Sequence, residues 1–346
     1  MQTSNVKVTL GMPVFNVEDY IEKSLICALD QDLDDIEILI INDCCTDNSM
    51  DIVAKTKSNH PNGKRIKIVN HEKNLGVAEA RNTIINEAHG KYIYFQDSDD
   101  FIEKSALSIL YQAAEENEAQ LTYGSTQILD NGKSRPYISL RKTKLKGKDA
   151  LANYIYNNIY DIIPNSIWNI LILTDFIRKN HLLFPNFRTG EDLLFNELMQ
   201  PLVTSAVLLP DYTYTYQIRP NSLMKYQKRD VIDIQEAYNS LKYSELQKKY
   251  CIAHKDKPYY DGKCAKTMKG IFYSACGILK HRHRFNGDIS DKEIRNSMRH
   301  PENLLSILHF KHHKIPNLLF WLMGVLPPPT SIALMKLVGK KKGFIK

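Results

Sequence analysis

The sequence predicts a doubly wound α/β fold with a mixed sheet flanked by helices, followed by a helical, basic C-terminal extension. Apolar segments of strand length alternate with helical patterns over the first 124 residues. These segments are apolar almost throughout, which is typical of strands that helices cover on both faces of a sheet. From about residue 230 onward the pattern is helical only. The alternation defines the fold class more firmly than any single motif.

The elements follow one another regularly along the chain. Strands are predicted over residues 6–14, 36–41, 66–69, 92–96 and 121–124. Helices are predicted over residues 17–29, 49–56, 77–88 and 105–117. Asp130-Asn131-Gly132 predicts a hairpin turn. Further on we expect a helical segment over residues 166–200, with a loop at 184–190, and an antiparallel strand over 206–216.

The composition is that of a globular protein of 346 residues, with 43% hydrophobic and 25% charged residues. Its charge predicts two regions, because residues 1–229 hold 25 Lys/Arg and 29 Asp/Glu, whereas residues 230–346 hold 21 and 10. The basic second region indicates an anionic partner, either nucleic acid or a membrane surface. The sequence has no secretory signal, uninterrupted apolar span or Cys-x-x-Cys pair, so we expect a cytoplasmic protein with reduced cysteines.

A cluster of carboxylates follows the fourth predicted strand, in Asp97-Ser98-Asp99-Asp100. Three carboxylates at one strand end repel one another, and a divalent cation with hard oxygen ligands relieves that repulsion. Open α/β sheets bind their ligands beyond the carboxyl ends of the strands. The stretch therefore indicates an Mg²⁺ or Mn²⁺ site that meets a phosphate. The alternative is an acidic turn that caps the next helix.

Two further polar side chains lie at the same predicted edge of the sheet. Asp43 follows the second strand and could accept hydrogen bonds from a nucleobase or ribose, or cap a helix, as Asp47 could also do. Arg81 follows Gly76 on the third helix and supplies a charged, planar fork for a nucleotide. Alternatively, Arg81 is a surface arginine paired with Glu79 or Asp47. Taken together with the acidic cluster, these residues predict a nucleotide pocket with a metal at its diphosphate end.

Glu191-Asp192 lies far downstream, at the start of a helical pattern. Carboxylates at this position often only stabilise the helix dipole. The functional alternative is a general base that removes a proton from an acceptor hydroxyl.

These spaced motifs resemble those of the family 2 glycosyltransferases, which have a GT-A fold. The resemblance covers about residues 6–222 and rests on Pro13-Val14-Phe15-Asn16, Asn42-Asp43-Cys44-Cys45-Thr46-Asp47, Asn74-Leu75-Gly76, Ala80-Arg81-Asn82, Asp97-Ser98-Asp99-Asp100, Trp168-Asn169 and Gly190-Glu191-Asp192-Leu193-Leu194-Phe195. Two positions depart from the family: Cys44-Cys45 stands where Gly-Ser is usual, and Ile170 stands where a lysine is common.

The resemblance implies a role for each matched residue. The catalytic positions are Asp192, which resembles the base, and Glu191, which supports it. The metal-binding pair is Asp97 and Asp99. The nucleotide-binding positions are Pro13, Phe15, Asn16, Asp43, Arg81, Asp97 and Ser98. The positions facing the sugar or the acceptor are Trp168 and Asp100.

The implied activity is an inverting, metal-dependent hexosyl transfer with Mn²⁺ or Mg²⁺. The donor is a nucleotide-diphosphate sugar, with UDP as the default and GDP or dTDP open. The acceptor is expected to be a saccharide hydroxyl on a lipid-linked glycan, carried by a polyprenyl lipid, in polysaccharide, capsule or O-antigen synthesis. Two alternatives stay open: a nucleotidyltransferase, although Gly11-Met12-Pro13 is not the glycine-rich loop it normally shows, and a non-catalytic carbohydrate- or membrane-binding relative. No nucleic-acid-binding module is recognised.

The C-terminal region combines apolar runs with lysines. Residues 317–326 are strongly apolar, and Lys340-Lys341-Lys342 and Lys346 follow a second apolar run. The first run is too short to span a bilayer, so it predicts peripheral binding to the anionic inner face of the plasma membrane. The alternative is a helical cap packed on the catalytic domain, with the lysines merely solvated.

Overall fold

A computed structural model describes residues 6–157, 163, 165–187, 190–218 and 230–345. The chain divides into two compact units. The first comprises Met1–Ile155 and Tyr160–Arg219, and the second comprises Tyr156–Ile159 and Pro220–Lys346. Residue 229, the predicted end of the first domain, and Lys346 lie outside the described residues, so that boundary stays a prediction.

Ten strands of the described residues form one sheet in the first unit. They are β1 (Val8–Val14), β2 (Ile36–Asn42), β3 (Ile66–Asn70), β4 (Tyr92–Phe95), β5 (Phe101–Ile102), β6 (Leu121–Asp130), β7 (Lys133–Ile138), β8 (Thr143–Lys146), β9 (Ile170–Leu173) and β10 (Ser205–Gln217). The strand order is β3-β2-β1-β4-β9-β6-β10-β5, while β7 pairs with β6 and β8 pairs with β10.

Helices flank this sheet and supply its apolar cover. The helices before residue 200 are α1 (Ile21–Leu29), α2 (Ser49–Asn59), α3 (Val77–Glu87), α4 (Ala106–Asn117), α5 (Ala150–Asn157), α6 (Thr174–Lys179) and α7 (Glu191–Met199), of which α1, α3, α4 and α6 contact strands of the sheet. Every residue of β4 is buried, and so are five of the seven residues of β2. Strands buried on both faces need continuous apolar sequence, which is why these segments were recognisable. The predicted fold class, a doubly wound mixed sheet flanked by helices, is confirmed.

One predicted element is wrong. Ile170–Leu173 were expected within a helical segment, but they form β9, which lies antiparallel between β4 and β6. Four consecutive apolar residues fit a buried strand or a buried helix equally well, and pairing on both sides decides for the strand. The strand predicted over residues 206–216 is β10, which pairs antiparallel with β5 and β8 but parallel with β6.

The register brings several strand ends to one edge of the sheet. β1 is parallel to both β2 and β4. β4 and β6 are each antiparallel to β9, so they run in the same direction, and β10 runs with β6. The carboxyl ends of β1, β2, β4, β6 and β10 therefore share the edge where the site residues lie.

The predicted hairpin is confirmed, because Asn131 and Gly132, with φ of 49° and 77°, connect β6 to β7.

The second unit is helical over its described residues. Its helices are α8 (Ile234–Ile252), α9 (Tyr260–His281), α10 (Asp291–Ser297), α11 (Leu304–Leu308), α12 (Lys314–Val325) and α13 (Pro328–Lys341). Side chains such as Met268, Phe272, Phe320 and Met335 form its apolar core. Within the described part of the chain, no helix combines the length and apolar character that crossing a bilayer requires.

Candidate active site

The acidic cluster lies directly beyond β4. The strand ends at Phe95, and Asp97, Asp99 and Asp100 follow, with carboxylate oxygens within 4.8 Å of one another. Asp97 and Asp99 are half-buried, whereas Asp100 and Ser98 are buried. Among the residues that the structure describes, this is the only group of acidic, histidine or cysteine side chains close enough to hold a metal ion. Three convergent carboxylates fit a hard divalent cation such as Mg²⁺ or Mn²⁺.

Asp100 is held in place by the end of β10. The Tyr214 hydroxyl donates to Asp100 Oδ2 at 2.7 Å, and the backbone N–H of Gln217 donates to Oδ1 at 2.8 Å. Burial, reinforced by the charges of Asp99 and Asp97, raises the pKa of Asp100 well above its ordinary value. Both oxygens of Asp100 have partners inside the protein, which favours a supporting position behind Asp97 and Asp99. Its contact with sugar or acceptor stays a prediction.

Arg81 joins three carboxylates from separate parts of the chain. Its Nη2 donates to Asp97 Oδ1 at 3.0 Å, while its Nη1 donates to Glu191 Oε1 at 2.9 Å and to Asp192 Oδ1. The Arg81 side chain is only 3% exposed, so the alternative of a surface arginine is wrong. Burial by itself lowers the pKa of Arg81, but the three carboxylates outweigh it and the net pKa is raised. The guanidinium therefore links the metal-binding candidates to the catalytic candidates.

Asp192 lies in the first turn of α7. Its Oδ1 accepts from Arg81, and its Oδ2 accepts from the backbone N–H of Ile167 at 3.3 Å. Burial raises the pKa of Asp192 to about 7; Glu191 and Asp97 add to the rise, while Arg81 and the Ile167 N–H oppose it. A carboxylate whose pKa is near neutral pH is suited to take up and release a proton.

Asp43 anchors the loop between β3 and α3. Its Oδ1 accepts from the backbone N–H of Leu75 at 2.8 Å and lies 2.7 Å from His71 Nδ1. Its Oδ2 accepts from the backbone N–H of Gly76 at 2.8 Å. Gly76 takes φ 88° immediately before α3, a conformation that favours glycine. Asp43 thus fixes the start of the helix that carries Arg81, and its contact with a nucleobase stays a prediction.

The remaining nucleotide-side candidates lie at the end of β1. Pro13 is within the strand, and the Phe15 ring that follows is 46% exposed. Asn16 accepts from the backbone N–H of Thr46 at 2.8 Å, which ties the ends of β1 and β2 together. Cys44 has φ 61°, so the chain makes the turn that glycine usually makes in the family, but in a conformation less favourable for a side chain.

Trp168 belongs to a row of aromatic rings. It stacks on Tyr214, with ring centroids 4.7 Å apart, and lies nearly parallel to Tyr216 at 6.0 Å. Tyr216 in turn stacks on Tyr137 at 6.2 Å. Trp168 is only 8% exposed. Its contact with a sugar stays a prediction, and the exposed end of the row is Tyr137.

Two supporting residues had no place in the sequence-based prediction. His71 directly follows β3, the same strand-end position that marked Asp43 and Asp97, so that signal could have identified it. Tyr214 lies within the strand pattern of β10. Nothing in the sequence connects it with Asp100, which lies 114 residues earlier in the chain.

Known glycosyltransferases resemble the part of the chain that holds most of this site. The model of glycosyl transferase family 2 matches residues 9–169, which contain the residues discussed above from Pro13 to Trp168. Glycosyltransferase GlyA of Streptococcus pneumoniae is 29% identical over 224 residues, which cover 63% of this chain and 32% of GlyA. The chain thus spans about a third of that relative's length. Poly(ribitol-phosphate) beta-N-acetylglucosaminyltransferase TarP of Staphylococcus aureus is 26% identical over 288 residues, 81% of each chain.

The fold is shared with a solved structure. The crystal structure of S. aureus TarS 1–349 in complex with UDP-GlcNAc superposes with a TM-score of 0.56 over 98% of this chain and 88% of that chain, at 19% identity. At this identity the similarity establishes the fold alone. Residues 9–169, the matched part of the chain, belong to glycosyl transferase family 2, and the relatives and the shared GT-A fold support a family 2 glycosyltransferase.

Proposed function

We propose that the chain moves a sugar from a nucleotide-diphosphate donor, most simply a UDP-sugar, to a hydroxyl of a cell-surface polymer, with inversion at the anomeric carbon. The observation that carries this proposal is that the Arg81 guanidinium binds two carboxylates of different kinds. One is Asp97, a candidate metal ligand, and the other is Asp192, whose pKa lies near neutral pH. The UDP-GlcNAc bound to TarS supports a UDP-sugar donor. The name of TarP supports an acceptor that is a polyol-phosphate polymer.

We place the donor at the edge of the sheet where the carboxyl ends of β1, β2, β4, β6 and β10 lie. The exposed ring of Phe15 and the polar groups of Asn16 and Asp43 face the base and the ribose, with Pro13 and Ser98 shaping the backbone around them. Arg81 acts through its neighbours as a positioning residue, because its Nη atoms already hold the three carboxylates.

Asp97 and Asp99 would hold Mn²⁺ or Mg²⁺, with the buried Asp100 behind them. When bound, the cation supplies charge neutralisation for the diphosphate that leaves. The same neutralisation relieves the repulsion among the three carboxylates, which burial makes costly. Asp100 then supports the first two residues through its bonds to Tyr214 and Gln217.

Asp192 is the general base in this mechanism. The acceptor oxygen attacks the anomeric carbon while its proton moves to the Asp192 carboxylate. The bond from the anomeric carbon to the diphosphate oxygen breaks, and its electron pair leaves with the nucleotide. One displacement needs one base, and Glu191 supports it by sharing Arg81 Nη1.

Donor turnover tests the proposed function without a guess about the acceptor. Purified protein is offered a panel of UDP-sugars, GDP-sugars and dTDP-sugars, and nucleotide release is measured with Mn²⁺ or Mg²⁺ and then with EDTA. We expect slow release from one donor, lost in EDTA and reduced about 100-fold or more in Asp99→Ala, because a metal ligand is removed. Release that is equal in EDTA contradicts metal dependence. If the protein neither releases nor binds any of these nucleotides, the alternative of a non-catalytic relative is favoured.

The pH dependence of turnover follows from Asp192. A base must be ionised, so kcat/KM should fall as pH decreases through the pKa of Asp192, which burial raises to about 7. A bound cation nearby lowers that pKa, so the midpoint with Mn²⁺ should lie between about pH 5.5 and about pH 7. A pH–rate profile between about pH 5 and about pH 9 measures this limb. A flat profile in that range would contradict the assignment of Asp192.

We further propose that residues 1–229 carry the transfer and that residues 230–346 hold the enzyme at the inner face of the membrane, near a lipid-linked acceptor. Residues 303–346 contain seven lysines and neither Asp nor Glu. Exposed apolar side chains, including Leu305 at 70% and Ile315 at 81%, accompany them. Co-sedimentation should show binding to vesicles with anionic lipid and weaker binding of Leu305→Ser/Ile315→Ser. Equal binding to neutral vesicles would contradict an electrostatic surface.

A further inference from the structure

The aromatic row leads from the acidic cluster to an exposed strand. The Tyr214 hydroxyl donates to Asp100, and the Tyr214 ring stacks on Trp168. Trp168 also lies nearly parallel to Tyr216. The next ring, Tyr137, stacks on Tyr216 at 6.2 Å and is 52% exposed. The row therefore connects the candidate metal site with a face of β7 that is open to solvent.

Two cations of β7 lie beside the exposed end of this row. Arg135 is paired in register with Ile128 of β6, which is paired with Tyr216 of β10. Residues paired across neighbouring strands present their side chains on the same face, so Arg135 lies on the face of Tyr216. Lys133 lies two residues before Arg135 and thus on that face as well. We call Lys133, Arg135 and Tyr137 the β7 ridge.

The β7 ridge is charged and accessible. Lys133 and Arg135 are both exposed, and neither forms an ion pair within the described residues. The carboxylate paired in register with Lys133 is Asp130, which is half-buried. Side chains two residues apart on a strand are about 7 Å apart. Two cations at that spacing next to an aromatic ring suit an extended chain that carries a negative charge at each repeat.

We propose that the β7 ridge binds the acceptor as a phosphodiester-linked polyol chain and delivers its hydroxyl to Asp192. The inference rests on the proposed function and names the acceptor side of the same site. The Arg135 guanidinium offers a planar fork to the two free oxygens of a phosphodiester, and Lys133 offers a point charge to the next repeat. Tyr137 packs against the carbon chain or a sugar attached to it. Uncharged glycans gain nothing from the two cations.

A charge-reversal pair with a matched control tests the ridge. Lys133→Glu/Arg135→Glu is compared with the control variant Lys144→Glu/Lys146→Glu on β8. The two control lysines are also exposed, and their replacement changes the net charge equally. β8 pairs with the start of β10, away from the site edge. Binding of a labelled synthetic ribitol-phosphate oligomer is measured by fluorescence anisotropy, with dextran and polygalacturonate as competitors. Donor turnover without acceptor is measured on the same samples.

The ridge variant should bind the oligomer about tenfold or more weakly, because each exposed contact contributes a few-fold and charge reversal adds repulsion. Tyr137→Ala should weaken binding a few-fold. The β8 control should change binding less than twofold, and both double variants should keep donor turnover.

Equal weakening in the control, or none in the ridge variant, overturns the proposal. Competition by polygalacturonate as strong as by unlabelled oligomer overturns the phosphodiester assignment. A wild type that binds the oligomer but turns over no donor contradicts the proposed function and leaves the ridge standing.

Discussion

Asp192→Asn should reduce sugar transfer by about 10²- to 10⁴-fold, the range that a general base contributes. The amide keeps the size of the side chain and can still accept a hydrogen bond from Arg81, but it cannot take the proton of the acceptor. Nucleotide binding with Mn²⁺ should change less than twofold. Transfer rates and calorimetric nucleotide affinities, measured on the same preparation, separate the two effects.

Asp175→Asn is the matched control for that experiment. Asp175 also lies in the first turn of a helix, α6, but its side chain is 72% exposed and pairs with Lys179. It therefore controls for the loss of a carboxylate at a helix N-terminus, and transfer should stay at the wild-type rate. Transfer by Asp192→Asn at the wild-type rate would show that the base is another group. A parallel loss of nucleotide affinity would show that Asp192 positions the donor instead.

Arg81→Met should lower the free energy of unfolding by about 3–5 kcal/mol at neutral pH, the usual cost of removing one partner of a buried ion pair. Asp97, Glu191 and Asp192 would then face one another without their shared counter-charge. Burial already raises the pKa of Asp192 to about 7, and the loss of Arg81, which opposes that rise, would raise it further. A folded-state pKa above that of the unfolded chain costs stability at high pH, so the defect should shrink as pH falls and Asp192 takes up a proton. Urea unfolding at about pH 7.5 and about pH 5.5 measures both effects.

Lys67→Met serves as the control for stability, because Lys67 and its partner Glu87 are each 45% exposed. Its cost should stay within about 1 kcal/mol. If Arg81→Met lowered the free energy of unfolding no more than this control does, the ion pairs of Arg81 would not be the main electrostatic interactions of the site. Arg81→Lys should fall between the two, since a single ammonium cannot reach three carboxylates in the geometry of the guanidinium fork.

The sequence indicates the separate parts of this site but not the contacts that connect them. The strand before Asp43 was recognisable because β2 is apolar almost throughout, and the position of Asp97 followed from the end of β4. The contact between Arg81 and Glu191 spans 110 residues and depends on how α7 packs against α3, which no local pattern encodes. The same limit applies to Tyr214 and Asp100.

One wrong prediction and one question that the sequence left open have the same physical origin. Ile170–Leu173 was assigned to a helix because a short apolar run carries no periodicity, and pairing with β4 and β6 makes it a strand. Arg81 could equally have been a surface residue by sequence, and only its three buried partners make it central. In each case tertiary partners decide what local sequence leaves open.

The division of labour between Asp99 and Asp192 is tested most directly by UDP calorimetry on the wild type, Asp99→Ala and Asp192→Asn, each with Mn²⁺ and with EDTA. We expect the wild type and Asp192→Asn to bind UDP with Mn²⁺ and to lose at least about tenfold in affinity in EDTA, a change of about 1.4 kcal/mol. Asp99→Ala should bind weakly under both conditions. Equal UDP affinity of all three proteins, with and without metal, would contradict the account.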